Sequence, residues 1–585
     1  MSNAEHRPNT RQARRQLLSA LIPVALFLAL ASFGLRTVAP TQEEVFGREY
    51  RINVVCGHEQ LDGELVDIYC LQSGDRASSE KVVRAGPFAL RSSRIRPEME
   101  LQIGSLILPV LEQSYQGAAY AGLIKIGTAL LGRNVYGLRI PLICCGVLSL
   151  LFTFLLIRQQ FGFAAGFAAE VCTACFHITA GFFSSVVHLQ SFYVFSLLAM
   201  LYLLLKPVDR IKRRPRGHAL LLGLSAGVMI YNNVLCGSVA AALLGSAILF
   251  RRDRLLVYVR YWYAALPGLL LPLIPLIAFN MLFRQATVDL ISGSLGQMAA
   301  NPALFLQALI QRISQTYYVL QGIPRIAVGL GVIDGIESPS SLGFEYFFLL
   351  CLAALLLAPS SRRGERAAGL RMLGTSFVLV VFFSSFTTMG TTLNMLYLMQ
   401  PLVPLVAALG ALEIAAGIST LTGGRASRTP AVLLVTVTLI MELYITADYI
   451  RVLPLFRTTW TPLAVQNELA GYLESNGIDD AVDVHIEDLR YPIEFLTHNR
   501  VQLKHHFTFK GPRGWDRKSE EIEWDSVIRL NRGRRFVLLS LSFSGLSSDV
   551  QLFREACQRN GVPYQHLRTF ANDAGIPVFE VYRIE

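Results

Sequence analysis

The chain carries the apolar run YGLRIPLICCGVLSLLFTFLLI at residues 136–157, in which Arg139 is the one charged residue. Crossing the hydrocarbon core of a bilayer takes about 20 consecutive apolar residues in a helix. The run is long enough, so it predicts a membrane-spanning helix. Similar apolar runs recur along the first 450 residues. Soluble domains do not contain so many long apolar runs.

The composition agrees with a membrane protein. Charged residues make up 16% of the 585 residues, and the mean hydropathy is +0.43. Soluble domains carry nearer a quarter charged residues. The segment after residue 450 is as polar as a soluble domain, and its periodicity alternates between helix and strand. We therefore predict an α-helical polytopic membrane protein with about eleven transmembrane helices and a C-terminal soluble α/β domain.

The predicted spans are apolar runs separated by polar or basic turns. They cover residues 17–35, 136–157, 161–182, 186–205, 218–234, 237–250, 261–283, 343–358, 372–388, 395–417 and 430–448. For the first run a cleaved signal peptide is the alternative, but its length and the absence of a small-residue cleavage site favour an uncleaved anchor.

The net charge of +11 lies in short clusters between spans, which excludes a nucleic-acid surface. Basic loops stay on the cytoplasmic side of a membrane. The clusters occupy alternate loops, at 158, 206–216, 251–260, 359–371 and 419–429. This predicts a cytoplasmic N-terminus (1–16), a transmembrane domain (17–448) with outer loops at 37–115 and 284–342, and an extracytoplasmic domain at 449–585. The location predicted is the inner (plasma) membrane.

Two of the nine cysteines lie in the first outer loop. Disulfides are permitted on that side of the membrane, so we predict a bond between Cys56 and Cys70. Most of the others lie in apolar runs, where cysteine is a small core residue. Zinc-ligand spacing is absent from the sequence.

Two motifs resemble a known family. One is LPVLEQSYQGAAYAGLIKIGTALLGRNVYGLRIP at Leu108–Pro141, with a short amphipathic helix at its centre, and the other is TTLNMLYLMQPLVPLVAALGA at Thr391–Ala411. Both are similar to motifs of the GT-C membrane glycosyltransferases, which include the protein O-mannosyltransferases and the aminoarabinose transferases.

The resemblance implies a sugar donor linked to a polyprenyl phosphate. The sugar would pass to a lipid, glycan or protein acceptor by direct displacement at the anomeric carbon. A carboxylate of the first outer loop would act as general base, and basic residues would stabilise the departing phosphate. The resemblance implies no cofactor, and a divalent metal is left open because some relatives use one.

The catalytic carboxylate is where the sequence departs from the family, whose members usually carry an Asp, often as an Asp-Glu pair, shortly after the first span. The candidates are Glu43, Glu44, Asp62 and Asp67, with Glu44 and Asp62 leading. Glu59, Glu64, Glu98 and Glu100 are further alternatives. Acidic residues in an outer loop are more often a solvated surface, and that alternative applies to each of them.

The candidate substrate-binding residues are basic or aromatic side chains near the outer surface. They are Tyr115, Lys125, Arg139, Arg312, Arg325 and Tyr397. Each has a structural alternative, since cations near span ends extend to the headgroups and tyrosines anchor helices at the interface.

Two other functions stay open. A non-catalytic envelope assembly subunit on the same scaffold is favoured by the missing Asp-Glu pair. A lipid or solute transporter needs ionisable residues at mid-membrane, and the apolar runs contain few.

Overall fold

The structure is a computed structural model. It describes residues 10–37, 81–85, 88–92, 98–103, 106–113, 116–117, 119–132, 134–176, 179, 190–282, 292, 295–322, 342–359, 364–386, 398–422, 429–452, 463–478, 480–483, 493, 495–498, 500–504, 522–533, 535–539, 546–572, 575 and 577–585.

The first three quarters of the chain form a helical bundle, with a helix at each predicted span. The helices are α1 (Thr10–Thr37), α2 (Ala119–Leu131), α3 (Val135–Phe161), α4 (Phe163–Cys175), α5 (Gln190–Leu205), α6 (Val208–Arg213), α7 (Pro215–Asn232), α8 (Gly237–Phe250), α9 (Arg252–Arg260), α10 (Trp262–Leu282), α11 (Pro302–Gln321), α12 (Phe344–Leu356), α13 (Gly364–Ser384), α14 (Leu402–Leu421) and α15 (Thr429–Val452).

Within the described residues, five helices are long and apolar enough to cross a membrane, and a bent pair ending with α9 makes a sixth candidate. Four shorter apolar helices lie in α1, α4, α5 and α12. The helical membrane-protein fold is thus confirmed, while the count of eleven spans stays a prediction.

Small residues allow α7 and α10 to pack backbone against backbone. A β-carbon on Gly223 would lie 1.9 Å from the carbonyl oxygen of Ala265, and one on Gly268 would lie 2.2 Å from that of Leu220. Small residues are the usual means of close helix contact in membranes. Gly223 and Gly268 thus let the two helix backbones approach each other directly.

The basic loops meet at one end of the bundle, which we call the basic end. The Arg254 guanidinium donates hydrogen bonds to the carbonyl oxygens of Leu204 (3.2 Å) and Leu205, and it pairs with Glu365 at 3.5 Å. These contacts join the loops after α5 and α8 to the start of α13. The meeting of these loops supports the predicted alternation, and the cytoplasmic location of this end stays a prediction.

The first outer loop, predicted as polar loop over 37–115, contains a sheet. Its five antiparallel strands are β1 (Lys81–Ala85), β2 (Phe88–Ser92), β3 (Glu98–Ile103), β4 (Leu106–Gln113) and β5 (Gln116–Gly117). Leu111 of β4 packs against Leu276 and Phe279 of α10, and Gly117 lies against Tyr231 near the end of α7. The strands therefore lie at the opposite end from the basic loops, and we call it the sheet end.

The C-terminal segment forms the predicted α/β domain. Its elements are α16 (Leu463–Ser475), β6 (Asp480–Asp483), β7 (Gln502–Lys504), α17 (Trp524–Leu530), β8 (Arg535–Leu539), α18 (Leu546–Arg559), β9 (Tyr564–Ala571) and β10 (Pro577–Ile584). The sheet order is β7-β6-β8-β10-β9, with β6 parallel to its neighbours and β10 antiparallel to its own. One apolar core lies between the sheet and α16, and a second lies between the sheet and the α17–α18 pair.

Candidate functional site

A tight elbow joins α2 to α3 at the sheet end. Asn134 caps α3 by accepting a hydrogen bond from the amide of Gly137 (3.0 Å) and closes α2 by donating to the carbonyl of Leu131 (2.9 Å). Gly132 lies between the helices with φ +84, a backbone conformation that glycine adopts without strain. The two helices thus leave the turn in close contact, as their glycines allow.

The elbow buries Arg139, one of the predicted phosphate-binding residues. Arg139 lies one turn into α3 and is 0% exposed. Pro141 follows it in α3 and packs against Gly127 of α2, since a β-carbon on Gly127 would lie 2.4 Å from the proline Cγ. The guanidinium is therefore enclosed by the fold, and a ligand would meet it only in a site enclosed between helices.

Two buried hydrogen bonds hold the start of α14 at the sheet end. The Tyr193 hydroxyl of α5 donates to the carbonyl of Leu398 (2.8 Å), and Gln400 Nε2 donates to the Thr179 hydroxyl (3.0 Å). Gln400 is 1% exposed, and its Oε1 has no hydrogen-bond partner among the described residues. The second sequence motif is thus held in place at Leu398 and Gln400. Sequence reasoning passed over Gln400, although a polar residue before Pro401 in an apolar run was a signal.

Arg312, another predicted phosphate contact, lies on α11 and is 1% exposed. Its Nη1 donates to Gln315 Oε1 (2.7 Å), and its Nε donates to the carbonyl of Ser384 at the end of α13 (3.3 Å). The Gln321 amide nitrogen lies 3.4 Å from a carboxylate oxygen of Glu345 on α12. Arg312 therefore docks α11 on the end of α13, and Gln321 docks it on the start of α12.

Most of the other predicted site residues lie outside the described residues, apart from Lys125, which lies on α2. Those outside are Glu43, Glu44, Cys56, Asp62, Asp67, Cys70, Tyr115, Arg325 and Tyr397. The catalytic base and the disulfide consequently stay predictions. In the part of the chain that the structure describes, no group of three or more His, Cys, Asp or Glu side chains could hold a metal ion.

Two carboxylates inside the bundle were passed over in the sequence. Glu170 on α4 and Glu442 on α15 are both 0% exposed; the Glu170 carboxylate has no hydrogen-bond partner within the described ranges, and the Glu442 carboxylate lies against the Cys172 thiol of α4. Ionisable groups inside a membrane domain are costly and usually functional. The apolar runs are therefore less free of charge than the sequence analysis assumed.

In the C-terminal domain, a cluster of polar and aromatic side chains lies on the sheet face covered by α18. The Tyr582 hydroxyl donates to Glu580, and Arg554 Nη2 donates to the Tyr582 oxygen at 3.3 Å. Burial, and then the hydrogen bond to Glu580, raise the pKa of Tyr582 above its usual range. His566 Nε2 lies 3.9 Å from Glu580. This network joins β9, β10 and α18.

Comparison with known proteins gives a family match and a whole-chain fold match. Residues 118–279 match the family described as dolichyl-phosphate-mannose-protein mannosyltransferase. ArnT from Cupriavidus metallidurans bound to undecaprenyl phosphate superposes with a TM-score of 0.53, at 9% identity and over 97% of each chain. The chain has the fold of the GT-C membrane glycosyltransferases.

Two further solved structures superpose on the chain with lower TM-scores. The same ArnT in the apo state gives a TM-score of 0.52, at 11% identity, over 96% of this chain and 97% of that chain. The archaeal oligosaccharyltransferase AglB from Archaeoglobus fulgidus, in complex with an inhibitory peptide and a dolichol-phosphate, gives 0.43 at 11% identity, over 95% of this chain and 69% of that chain. No curated protein sequence matches the chain.

The GT-C family match covers the elements that build the elbow. It starts just before α2 and ends within α10. It therefore includes the Asn134 cap, the close glycine contacts between α2 and α3, and the buried Arg139. The later part of the first sequence motif, residues 118–141, thus contains the residues that shape the elbow.

Proposed function

We propose that the chain is a glycosyltransferase that moves a sugar from a polyprenyl-phosphate donor to a lipid, glycan or protein acceptor, at the outer face of the cytoplasmic membrane. The observation that carries the proposal is the GT-C fold over nearly the whole chain. The elbow, the strands of the first outer loop and α11 lie at one end of an apolar bundle. A phosphosugar whose tail stays in lipid needs a site at such an end.

The roles follow from the chemistry of displacement. The acceptor oxygen or nitrogen attacks the anomeric carbon, and the bond from that carbon to the phosphate oxygen breaks. A carboxylate among Glu43, Glu44, Asp62 and Asp67 takes the acceptor proton. Arg139, with Lys125 and Arg325, stabilises the phosphate that leaves with the electron pair. Arg312 acts through the position of α11.

Any such reaction releases a free polyprenyl phosphate, whatever the sugar and the acceptor. We would purify membranes that overproduce the chain and follow undecaprenyl phosphate by mass spectrometry. The control is a variant with Glu43, Glu44, Asp62 and Asp67 replaced by the matching amides. The wild type should release the lipid phosphate and the variant should not. Equal absence of release from both folded proteins would favour the non-catalytic assembly subunit instead.

A second candidate function, translocation of a lipid or solute, rests on the two buried carboxylates. Glu170 and Glu442 are both buried inside apolar helices, and such groups mark transport pathways in other membrane proteins. In proteoliposomes, movement of fluorescent lipid that is lost in Glu442→Gln would support translocation. Unchanged lipid movement in Glu442→Gln would exclude a role for this carboxylate.

A further inference from the structure

Helix α11 has three distinct faces. The face turned toward the protein carries Arg312, Gln315 and Thr316, which are all buried. The apolar stripe, which we define as Leu306, Ile310, Ile313 and Tyr317, is exposed at 57%, 60%, 56% and 38%.

These four stripe positions recur at intervals of three and four residues, so they form one continuous surface along the helix. Beside the apolar stripe runs an exposed polar stripe, which we define as Gln307, Gln311 and Ser314. The helix thus presents one side to the protein, one apolar side and one polar side.

This arrangement is opposite to that of a helix on a water-soluble surface. Such a helix buries its apolar side and exposes its charges. In α11 the single charged residue, Arg312, is turned inward and bonded to Gln315 and Ser384, whereas large apolar side chains are exposed. Contact between the apolar stripe and water is therefore unfavourable.

The apolar stripe is continuous with the outward surface of α13. Val378 and Phe382 lie on that helix and Phe386 lies just past its end; they follow one another at intervals of four residues and are exposed at 43%, 38% and 38%. Phe305 of α11 packs against this row, with ring centroids 5.6 Å from Phe382, edge to face, and 4.8 Å from Phe386. α13 is among the helices apolar enough to cross a membrane, so lipid that covers its outward row extends onto α11.

We propose that α11 lies along the water–lipid boundary at the sheet end and buries the apolar stripe in the acyl chains of bulk phospholipid. The polar stripe then faces water. Tyr317 and Tyr318 lie near the C-terminal end of α11, and tyrosine is enriched at the water–lipid boundary. This surface is independent of the reaction that the chain performs, and it fixes the depth of the sheet end in the bilayer.

Photocrosslinking tests the proposal. A benzophenone amino acid is placed at Ile310 or Ile313, or at the neighbouring polar positions Gln311 or Ser314, in the full chain reconstituted in phosphatidylethanolamine–phosphatidylglycerol vesicles with added undecaprenyl phosphate. Leu271 of α10, which is 61% exposed, is the positive control. After irradiation, phospholipid adducts are measured by mass spectrometry.

We expect adducts at Ile310 and Ile313 to approach those at Leu271 and to exceed those at Gln311 and Ser314 by about fivefold or more, because only the apolar stripe contacts acyl chains. Equal adducts at all four positions would overturn the proposal. The proposal would also be overturned if the apolar stripe crosslinked to a protein chain, or if its adducts contained undecaprenyl phosphate in place of phospholipid. Two positions on each stripe keep the test valid if one variant fails to fold.

Discussion

Gly127 on α2 and Gly137 on α3 are in direct backbone contact. A β-carbon built on Gly127 would lie 2.2 Å from the carbonyl oxygen of Gly137. Such a distance leaves no space for a side chain, so the two helices can cross in this way only with glycine at position 127. The crossing in turn determines where Arg139 lies.

Replacing Gly127 with alanine should therefore destabilise the fold, although alanine is the better helix former. Overpacking of this kind costs about 1–3 kcal/mol. The matched control is Gly417→Ala in α14, where a β-carbon meets no atom within 4 Å. Thermal midpoints in detergent should fall for Gly127→Ala and stay level or rise for Gly417→Ala. A Gly127→Ala variant as stable as the wild type would contradict the close contact.

Arg139→Lys should weaken the binding of undecaprenyl phosphate. Lysine keeps the charge but loses the planar pair of donors that suits phosphate. We expect the dissociation constant to rise about tenfold, which corresponds to about 1.4 kcal/mol. The control is Arg158→Lys at the other end of the same helix, where binding should not change. Native mass spectrometry measures both, and equal affinities would remove Arg139 from the site.

Tyr193→Phe should reduce both stability and ligand binding. The change leaves the carbonyl of Leu398 without its buried donor, which costs about 1–3 kcal/mol. Tyr258→Phe is a matched control, since the Tyr258 hydroxyl donates to the carbonyl of Leu203 at the same distance of 2.8 Å but at the basic end. Both variants should lower the thermal midpoint, and only Tyr193→Phe should also weaken the binding of undecaprenyl phosphate. Equal binding by the two variants would assign Tyr193 a purely structural role.

Glu170→Met should stabilise the protein. The carboxylate is fully buried without a hydrogen-bond partner in the described structure, and replacing such a group with an apolar one is worth about 1–3 kcal/mol. Glu345→Met is the control, because Glu345 lies beside the Gln321 amide and its loss leaves that amide without this acceptor. The thermal midpoint should rise for the first variant and fall for the second. A fall for Glu170→Met would indicate a polar partner or a function for Glu170.

The C-terminal domain should lose stability in alkali through Tyr582. Its pKa is raised in the folded state, so the stabilisation is complete below the ordinary tyrosine pKa of about 10 and is lost as pH rises above it. Digestion of the full chain by an alkaline protease should therefore accelerate above about pH 10 in the wild type. Tyr582→Phe should show a flatter profile, and an unchanged profile would contradict the assignment.

The helices could be predicted because apolar length alone defines a span. The start of α13 could not, because Gly364 to Arg371 is polar and joins the helix only through tertiary contacts. Arg371, for example, donates to the carbonyl of Ala358 (2.9 Å from Nε). Apolarity marks the part of a helix in lipid, whereas hydrogen bonding determines where the helix begins.

The sheet of the first outer loop was missed for a related reason. The run of β4, Leu106–Gln113, is too short to span and contains Pro109, which argues against a strand in the middle of a sheet. Its pairing with β3 includes an irregularity near Glu100, the residue opposite Pro109. Such local breaks in register depend on neighbouring strands, and a single sequence does not reveal them.

The candidate site was predictable where backbone geometry dictates the residue. Gly132 and Asn134 have fixed local roles, so the motif that contains them pointed to the elbow. Arg312 was predicted as a phosphate contact, yet it docks α11 onto α13. The sequence shows that an arginine lies near the surface, but not which carbonyl lies beside it.

The central claim is that a polyprenyl phosphate binds at the sheet end. An experimental structure of the chain with undecaprenyl phosphate in a lipid nanodisc tests it most directly. The account predicts that the phosphate lies near the α2–α3 elbow, within hydrogen-bond reach of Arg139, with the prenyl tail directed into lipid. A phosphate bound beside Arg254 at the basic end, or no bound lipid phosphate at saturating concentration, would contradict the account.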